Sequence, residues 1–300
     1  LYSDTQRYSD AEQMYVESLE IRRKLAKENP QVYESYVAQS LHNLANLYSD
    51  TQRYSDAEQM YVESMEICRK LSKDNPQVYE PYVAMALTGL ANLYAVTQRY
   101  SDAEQMYEES SEICRKLAKD NPQVYEPNVA VALNNLANLY SDTQRYSEAE
   151  QMYVESLEIS RKLSKDNPQV YEPDVARSLY NLANLYKDTQ RYSEAEQMYV
   201  ESLEKYRKLS KDNPQVYEPY VAVALYNLAN LYYITQRYSE VEQMYEESLE
   251  IRRKLAKDNP EVYEPDVINS LNSLAFFYNN TNEITKQYEI YNELLLLLKK

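Results

Sequence analysis

The segment LYSDTQRYSDAEQMYVESLE opens at Leu1 and returns, slightly edited, at Leu47, Leu93, Leu139, Leu185 and Leu231, each 46 residues after the last. A period of this length constrains the fold more than any other feature. One such unit cannot bury its own apolar face, so neighbours must stack and shelter one another. A degraded half copy starts at Phe277, giving units 1–46, 47–92, 93–138, 139–184, 185–230 and 231–276 and a partial unit 277–300. No composition shift or Gly/Ser-rich linker separates the copies, and residues 1–300 read as a single tandem-repeat solenoid.

The fifth unit and the turn before it show how each copy folds. Pro173, in Tyr171-Glu172-Pro173, suits the first position of a helix, where its missing N–H costs no bond, so helix A is expected to start there. Leu179, Leu182, Ala183 and Tyr186 then fall at i, i+3, i+4 and i+7, one face at helical periodicity. After the turn Asp188-Thr189-Gln190-Arg191, Ser193 and Glu196 have the spacing of a capping box that would open helix B. Its inner stripe is Ala195, Met198, Tyr199, Ser202, Leu203 and Leu209, and it is expected to stop at Asn213-Pro214, with Asn213 left-handed. The recurring tyrosines, such as Tyr186, Tyr192, Tyr199 and Tyr217, have the spacing of a core and not of a stacking platform.

Composition removes many functions. With one glycine, Gly89, no glycine loop can cradle a phosphate. His42, Cys68 and Cys114 cannot assemble a zinc site, so no metal, cofactor or catalytic residue is expected. The two cysteines stand at equivalent places of adjacent units, about 10 Å apart, beyond the roughly 7 Å reach of a disulfide. They read as free, weakly exposed thiols, which favours a cytoplasmic compartment. His42 reads as a surface or groove histidine. A net charge of -16 argues against nucleic acid and suits a basic partner better. The leucine run 294–298 is far short of the ~20 residues of a membrane span. The chain opens mid-repeat and without Met, which reads as a fragment.

With Leu179, Leu182, Ala183, Tyr186, Tyr192, Ala195, Tyr199 and Ser202 at core places whose spacing recurs in every complete copy, the sequence resembles the tetratricopeptide repeat. Its length and its VYEPxVAxxLxNLA segment are similar to the long repeats of kinesin light chains and related bacterial proteins. The resemblance implies an all-α, right-handed superhelical solenoid of antiparallel helix pairs. It also implies a non-catalytic scaffold that takes an extended peptide or protein segment in a concave groove lined by helix A. Two departures stand out. The family's turn glycine is Gln6, Gln52, Gln98, Gln144, Gln190 and Gln236, and the lysines of members that clamp acidic chaperone tails are replaced by Asn134, Tyr180 and Tyr226.

Variation between copies concentrates on helix A. The column of Arg177 reads Gln39, Met85, Val131, Arg177, Val223 and Asn269, and that of Tyr180 reads His42, Thr88, Asn134, Tyr180, Tyr226 and Asn272. Lys187 and Tyr233 lie in a third variable column. Among these runs a constant ladder, Asn46, Asn92, Asn138, Asn184 and Asn230, with a second in Asn43, Asn135, Asn181 and Asn227. An amide both donates and accepts, so such ladders can hold a peptide backbone while Arg177, Tyr180, Lys187, Tyr226 and Tyr233 read its side chains. At the other end, Tyr288, Tyr291, Leu294, Leu295, Leu296, Leu297 and Leu298 make the last helix apolar around most of its girth. The alternative function is therefore end-to-end self-association through that helix.

Overall fold

The computed structural model describes the backbone of residues 2–297 and the side chains of residues 7–297. The described residues form thirteen helices and no strand: α1 (Tyr2–Glu28), α2 (Pro30–Asp50), α3 (Tyr54–Asp74), α4 (Pro76–Val96), α5 (Tyr100–Asp120), α6 (Pro122–Asp142), α7 (Tyr146–Asp166), α8 (Pro168–Asp188), α9 (Tyr192–Asp212), α10 (Pro214–Ile234), α11 (Tyr238–Asp258), α12 (Pro260–Asn280) and α13 (Ile284–Leu297). Even-numbered helices are the A helices and odd-numbered ones the B helices. The chain packs as two compact units, Leu1–Ile159 and Ser160–Lys300. Within each, a B helix lies against the A helix before it and the A helix after it.

Helix A is longer than the sequence suggests. It starts at Pro168, and Pro173 lies inside it. Pro173 lacks only the bond it would donate four residues back, to the carbonyl of Gln169, and that exposed residue leaves the carbonyl to water. Helix B likewise begins at Tyr192, one residue before the expected Ser193 cap, with Arg191 at the N-cap and no side-chain cap. The capping box does not form because Glu196 is engaged elsewhere: it accepts from Arg237 Nη1 at 2.6 Å and from the Tyr232 hydroxyl at 3.2 Å. Asn213, at φ -141° and ψ 78°, is not left-handed; the proline that opens α10 is enough to end α9.

The left-handed residue sits in the other turn. Gln52, Gln98, Gln144, Gln190 and Gln236 have φ of 60–61°, and Asn282 has 58°. Gln6 is the exception, because α1 runs unbroken through it, and among the described residues no A helix precedes α1 to fold it back. The turns are closed by arginine. The Arg53 guanidinium lies 4.0 Å over the Tyr48 ring and pairs with both Glu12 and Asp56, and Arg99, Arg145 and Arg237 repeat the arrangement. Because a non-glycine residue in this conformation costs up to about 1 kcal/mol, Gln190→Gly is expected to leave stability unchanged or raise it by that amount. A clear fall in melting temperature would show that the glutamine side chain holds the turn.

The core follows most of the stripe read from the sequence, although Met198 and Leu209 are only half-buried. Leu179, Leu182, Ala183, Ala195, Tyr199 and Ser202 are at most 3 % exposed. The serine in place of the family's alanine is satisfied, since the hydroxyls of Ser64, Ser110, Ser156, Ser202 and Ser248 donate to the carbonyls of Ala38, Ala84, Ala130, Ala176 and Ala222. Tyr186 is buried with Tyr199, whereas Tyr192 and Tyr217 are half-buried. The thiols are not on the surface as expected. Cys68 packs with Ala38, Val83 and Leu87, and Cys114 with Ala84, Val129 and Leu133. Burial pushes the Cys68 thiol up to about 11 and raises Cys114 in the same direction. Outside the core, Arg23–Glu63, Arg69–Glu109, Arg115–Glu155, Arg161–Glu201 and Arg207–Glu247 pair one B helix with the next at 2.5–2.7 Å.

Candidate functional site

The first asparagine ladder sits on helix A, where it meets helix B. The hydroxyls of Tyr61, Tyr107, Tyr153, Tyr199 and Tyr245 donate at 2.5 Å to Oδ1 of Asn46, Asn92, Asn138, Asn184 and Asn230. Each hydroxyl is buried and needs an acceptor, so the carbonyl half of the ladder belongs to the fold. Desolvation pushes Tyr61 and Tyr107 up to about 12, and Tyr199 and Tyr245 further in the same direction. The amide nitrogen lies on the other side. Asn46, Asn92 and Asn138 are exposed and Asn184 and Asn230 half-buried, so the ladder presents donors, not the donor–acceptor pairs expected from the sequence.

In the second ladder Asn43, Asn135, Asn181 and Asn227 are half-buried. Asn227 is tied down, its Nδ2 donating to the Tyr180 hydroxyl at 2.6 Å and to the Val223 carbonyl at 3.1 Å. Gly89 takes this ladder's place on α4, and the Tyr61 ring occupies the room: a Cβ on Gly89 would lie 2.5 Å from Cε1 of that ring.

In unit 160–300 the variable residues largely fill their own helix-A face. Tyr180 stands edge-on to Tyr199 at 5.9 Å, and the Tyr226 hydroxyl bonds Ser273 at 2.8 Å. Arg177 pairs with Asp174 at 2.6 Å and Lys187 with Asp188 at 3.5 Å, both on the same helix. Tyr233 gathers Tyr238, Phe276 and Phe277 around it at 5.7–6.5 Å and accepts from Asn280 Nδ2 at 3.0 Å. Of the expected reading residues, Arg177 alone is exposed; Tyr180, Lys187, Tyr226 and Tyr233 are half-buried.

Both units keep openings on this face; that of unit 160–300 is a cleft of about 270 Å³ bordered by Asn230, Tyr233, Asn272 and Phe276. In unit 1–159 His42, Thr88 and Asn134 stand in place of the tyrosines, and among its clefts are two that share Met85, the larger bordered by His42 and Thr88. One, of about 230 Å³, has Tyr36, Tyr82 and Met85 on its walls and Ser64 and Cys68 on its floor. The next, of about 360 Å³, has Met85, Pro127 and Val131 on its walls and Ser110 and Cys114 on its floor. His42 borders the larger cleft as a groove histidine but is 8 % exposed, and its Nδ1 has no hydrogen-bond partner among the described residues. It meets the Tyr61 ring edge-on at 5.4 Å, and burial lowers its pKa.

A sequence model of the tetratricopeptide repeat matches residues 1–70, 36–116, 82–162, 128–208 and 174–254. The chain is a tetratricopeptide-repeat protein. Such repeats are generally non-catalytic scaffolds that bind proteins or peptides. Three solved structures share the fold. BtubC (BKLC) from P. vanneervenii aligns with a TM-score of 0.69 at 24 % identity over 83 % of this chain and 92 % of its own. The apo form of RapI gives 0.62 at 16 % identity over 95 % and 90 %. The nearly identical TPR-like repeats of a Podosopora anserina protein described as a kinesin light chain give 0.57 at 19 % identity over 76 % and 99 %. No curated protein sequence matches the chain.

One column of this tetratricopeptide-repeat protein escaped the sequence reading. Arg22, Cys68, Cys114, Ser160, Tyr206 and Arg252 occupy one position of helix B; Cys68 and Cys114 are on the floors of the two clefts above, and Arg22 lines a wider one of about 670 Å³ with Met14 and Tyr36. In unit 160–300 the same position is blocked. Tyr206 stacks on Tyr220 at 5.1 Å, and Arg252, 5 % exposed, lies 4.7 Å under Tyr226. The signal was in the sequence, as a lone changing residue within the constant Arg-Lys-Leu context of helix B.

On α13, Leu294 turns inward at 7 % exposed, while Tyr288, Tyr291, Leu295 and Leu296 remain 46–67 % exposed. Leu297 is intermediate, and Leu298 lies outside the described residues. Among the described residues no helix is long and apolar enough to cross a membrane.

Proposed function

We propose that the chain is a scaffold that holds an extended peptide segment of a partner protein along its helix-A faces. The exposed amide nitrogens of Asn46, Asn92 and Asn138 carry this reading. They repeat once per unit, beside variable and partly apolar side chains, and an extended segment leaves its carbonyls free to accept them. With 48 acidic residues against 32 basic ones, the ion-pair ladders leave carboxylates over, and a segment with basic flanks is favoured. The single array over 1–300 belongs to the same proposal.

The shared bond to tyrosine dictates the test. Asn→Ala would also strip the acceptor from Tyr61, Tyr107 and Tyr153, whereas Asn→Asp keeps an oxygen there and deletes the outward N–H. Peptides selected from a random displayed library are expected to bind the Asn46→Asp, Asn92→Asp, Asn138→Asp chain at least tenfold more weakly, with helicity unchanged. Equal affinity in a folded variant would rule out the amide grip.

Self-association is the second reading, favoured by the open apolar face of Tyr288, Leu295 and Leu296. It predicts a sedimentation coefficient that rises with concentration and ceases to do so in Tyr288→Glu, Leu296→Glu. A concentration-independent monomer would count against it.

A further inference from the structure

Five B helices carry one face that is always covered. On α3, α5, α7, α9 and α11 the tyrosine that bonds asparagine is at most 5 % exposed and the serine that bonds a carbonyl at most 2 %, and the A helix before each supplies both acceptors. Among the described residues α1 is the B helix with no A helix before it, and there the same face is open. Met14 is 72 % exposed, Ile21 59 % and Tyr15 37 %, whereas their counterparts on those five helices are buried or half-buried. The counterparts also show what is missing. Met106 and Ile113 of α5 pack with Val83 and Leu87 of α4, and Met152 and Ile159 of α7 with Val129 and Leu133 of α6. The cleft of about 670 Å³ on α1 has Ser18 and Arg22 in it, with Val32, Tyr33 and Tyr36 of α2 as its one far wall.

The helix that covers this face elsewhere has a fixed pattern. Before α3, α5, α7, α9 and α11 it reads Val-Ala-x-x-Leu-x-x-Leu-Ala-Asn, from Val37 to Asn46 and at the four equivalent places. The first alanine presents the carbonyl that serine uses and the asparagine the oxygen that tyrosine uses, about 12 Å apart along the helix. The two leucines between them are at most 5 % exposed. The closest internal parallel to α1 is α11, because Ser18–Lys27 repeats Ser248–Lys257 residue for residue. Arg22 and Arg252 make the same bonds to the A helix that follows, a serine hydroxyl at 2.7 Å and a carbonyl at 3.0 and 3.1 Å. What differs is the cover: the Tyr226 ring of α10 lies 4.7 Å from the Arg252 guanidinium, and Arg22 is half-buried. A helix over α1 would therefore carry tyrosine directly after the first leucine, as α10 does at Tyr226.

We infer that the open face of α1 docks an amphipathic α-helix of a partner protein, laid antiparallel to α1 and patterned as Val-Ala-x-x-Leu-Tyr-x-Leu-Ala-Asn. Its asparagine oxygen accepts from the Tyr15 hydroxyl, and the carbonyl of its first alanine accepts from Ser18. Its tyrosine ring covers Arg22, and its valine and leucines cover Met14 and Ile21. A small residue is needed where the first alanine stands, because the serine must reach the backbone beside it: Ala38, Ala84, Ala130, Ala176 and Ala222 all occupy that place. The site takes a helix, not an extended segment, and is separate from the asparagine ladders.

The test uses the full chain and a fluorescent peptide with the sequence of α10, Pro214–Ile234, extended by lysines for solubility. Anisotropy is expected to show saturable binding of one peptide per chain, and hydrogen exchange new protection on α1. In the peptide, Asn230→Leu takes the acceptor from Tyr15 and should weaken binding about tenfold, and Leu225→Glu should abolish it. On the chain, Met14→Glu and Ile21→Glu fall at exposed positions, leave helicity unchanged and should each weaken binding at least tenfold. The inference is overturned if the peptide does not bind, if a scrambled peptide binds equally, or if both chain variants bind as wild type does. It is also overturned if the face belongs to a second copy, seen as an apparent mass in sedimentation that falls in Ile21→Glu. None of these outcomes touches the amide test on library-selected peptides, which probes other residues.

Discussion

Tyr199→Ala is expected to cost about 3–5 kcal/mol, the largest loss from any single truncation on the helix-A–helix-B seam of unit 160–300. Among the described residues Tyr199 is the largest fully buried side chain, with 0 % exposure. Its ring fills the space beside Tyr180, and its hydroxyl is the donor held by Asn184. Removing it leaves a ring-sized void and an amide oxygen without its donor. Tyr199→Phe separates the two effects, because it keeps the ring and should cost about 1 kcal/mol. Both are read from the denaturation midpoint at unchanged slope. Equal losses for the two substitutions would show that the hydroxyl, and not the ring, carries the seam.

Arg252→Met is expected to work in the opposite direction and stabilise the chain by about 1–3 kcal/mol. Arg252 is buried, and its Nε has no hydrogen-bond partner among the described residues. Nη1 donates to Ser270 Oγ at 2.7 Å and to the Asp266 carbonyl at 3.1 Å, and the Tyr226 ring lies under the guanidinium. Desolvation is the largest influence on the group and lowers its pKa, the mark of a charge held where the surroundings do not repay it. Arg22 is the internal control. It makes the same pair of bonds, to Ser40 Oγ and the Tyr36 carbonyl, but is only half-buried. Arg22→Met should therefore gain little. A lower midpoint in Arg252→Met would mean that the ring contact and the two bonds outweigh the burial of the charge.

The stripe on helix A was legible because Leu179, Leu182, Ala183 and Tyr186 state a 3.6-residue period without ambiguity. The turn was legible too, since a family position reserved for glycine carries glutamine with φ of 60–61° in five turns. The boundaries were harder. Five of the units offer two prolines with the chemistry of a helix start, and the sequence does not show that Pro173 sits where the one lost bond falls on an exposed residue. The thiols were misplaced for a different reason. Ser202 is on the inner stripe, and Tyr206 follows it by one turn at i+4, so the positions of Cys68 and Cys114 belong to that face as well. The ladders were only half readable. The recurrence of Asn46, Asn92 and Asn138 marks them as shared, but recurrence serves a structural acceptor and an outward donor equally, and only the 2.5 Å bonds to Tyr61, Tyr107 and Tyr153 divide the two roles.

The arginine–glutamate pairs along the B helices have a consequence for how such a chain can change. Arg23 reaches Glu63, Arg69 reaches Glu109 and Arg207 reaches Glu247, always the same donor, the same acceptor and the same offset of 40 residues. The fastener is thus interchangeable. A copy lost or duplicated whole brings both halves of the joint with it, so array length can drift by 46-residue steps without any new interface having to be invented. Substitutions on helix A and at the floor position of helix B are free of that standardised seam, and there each copy can diverge on its own.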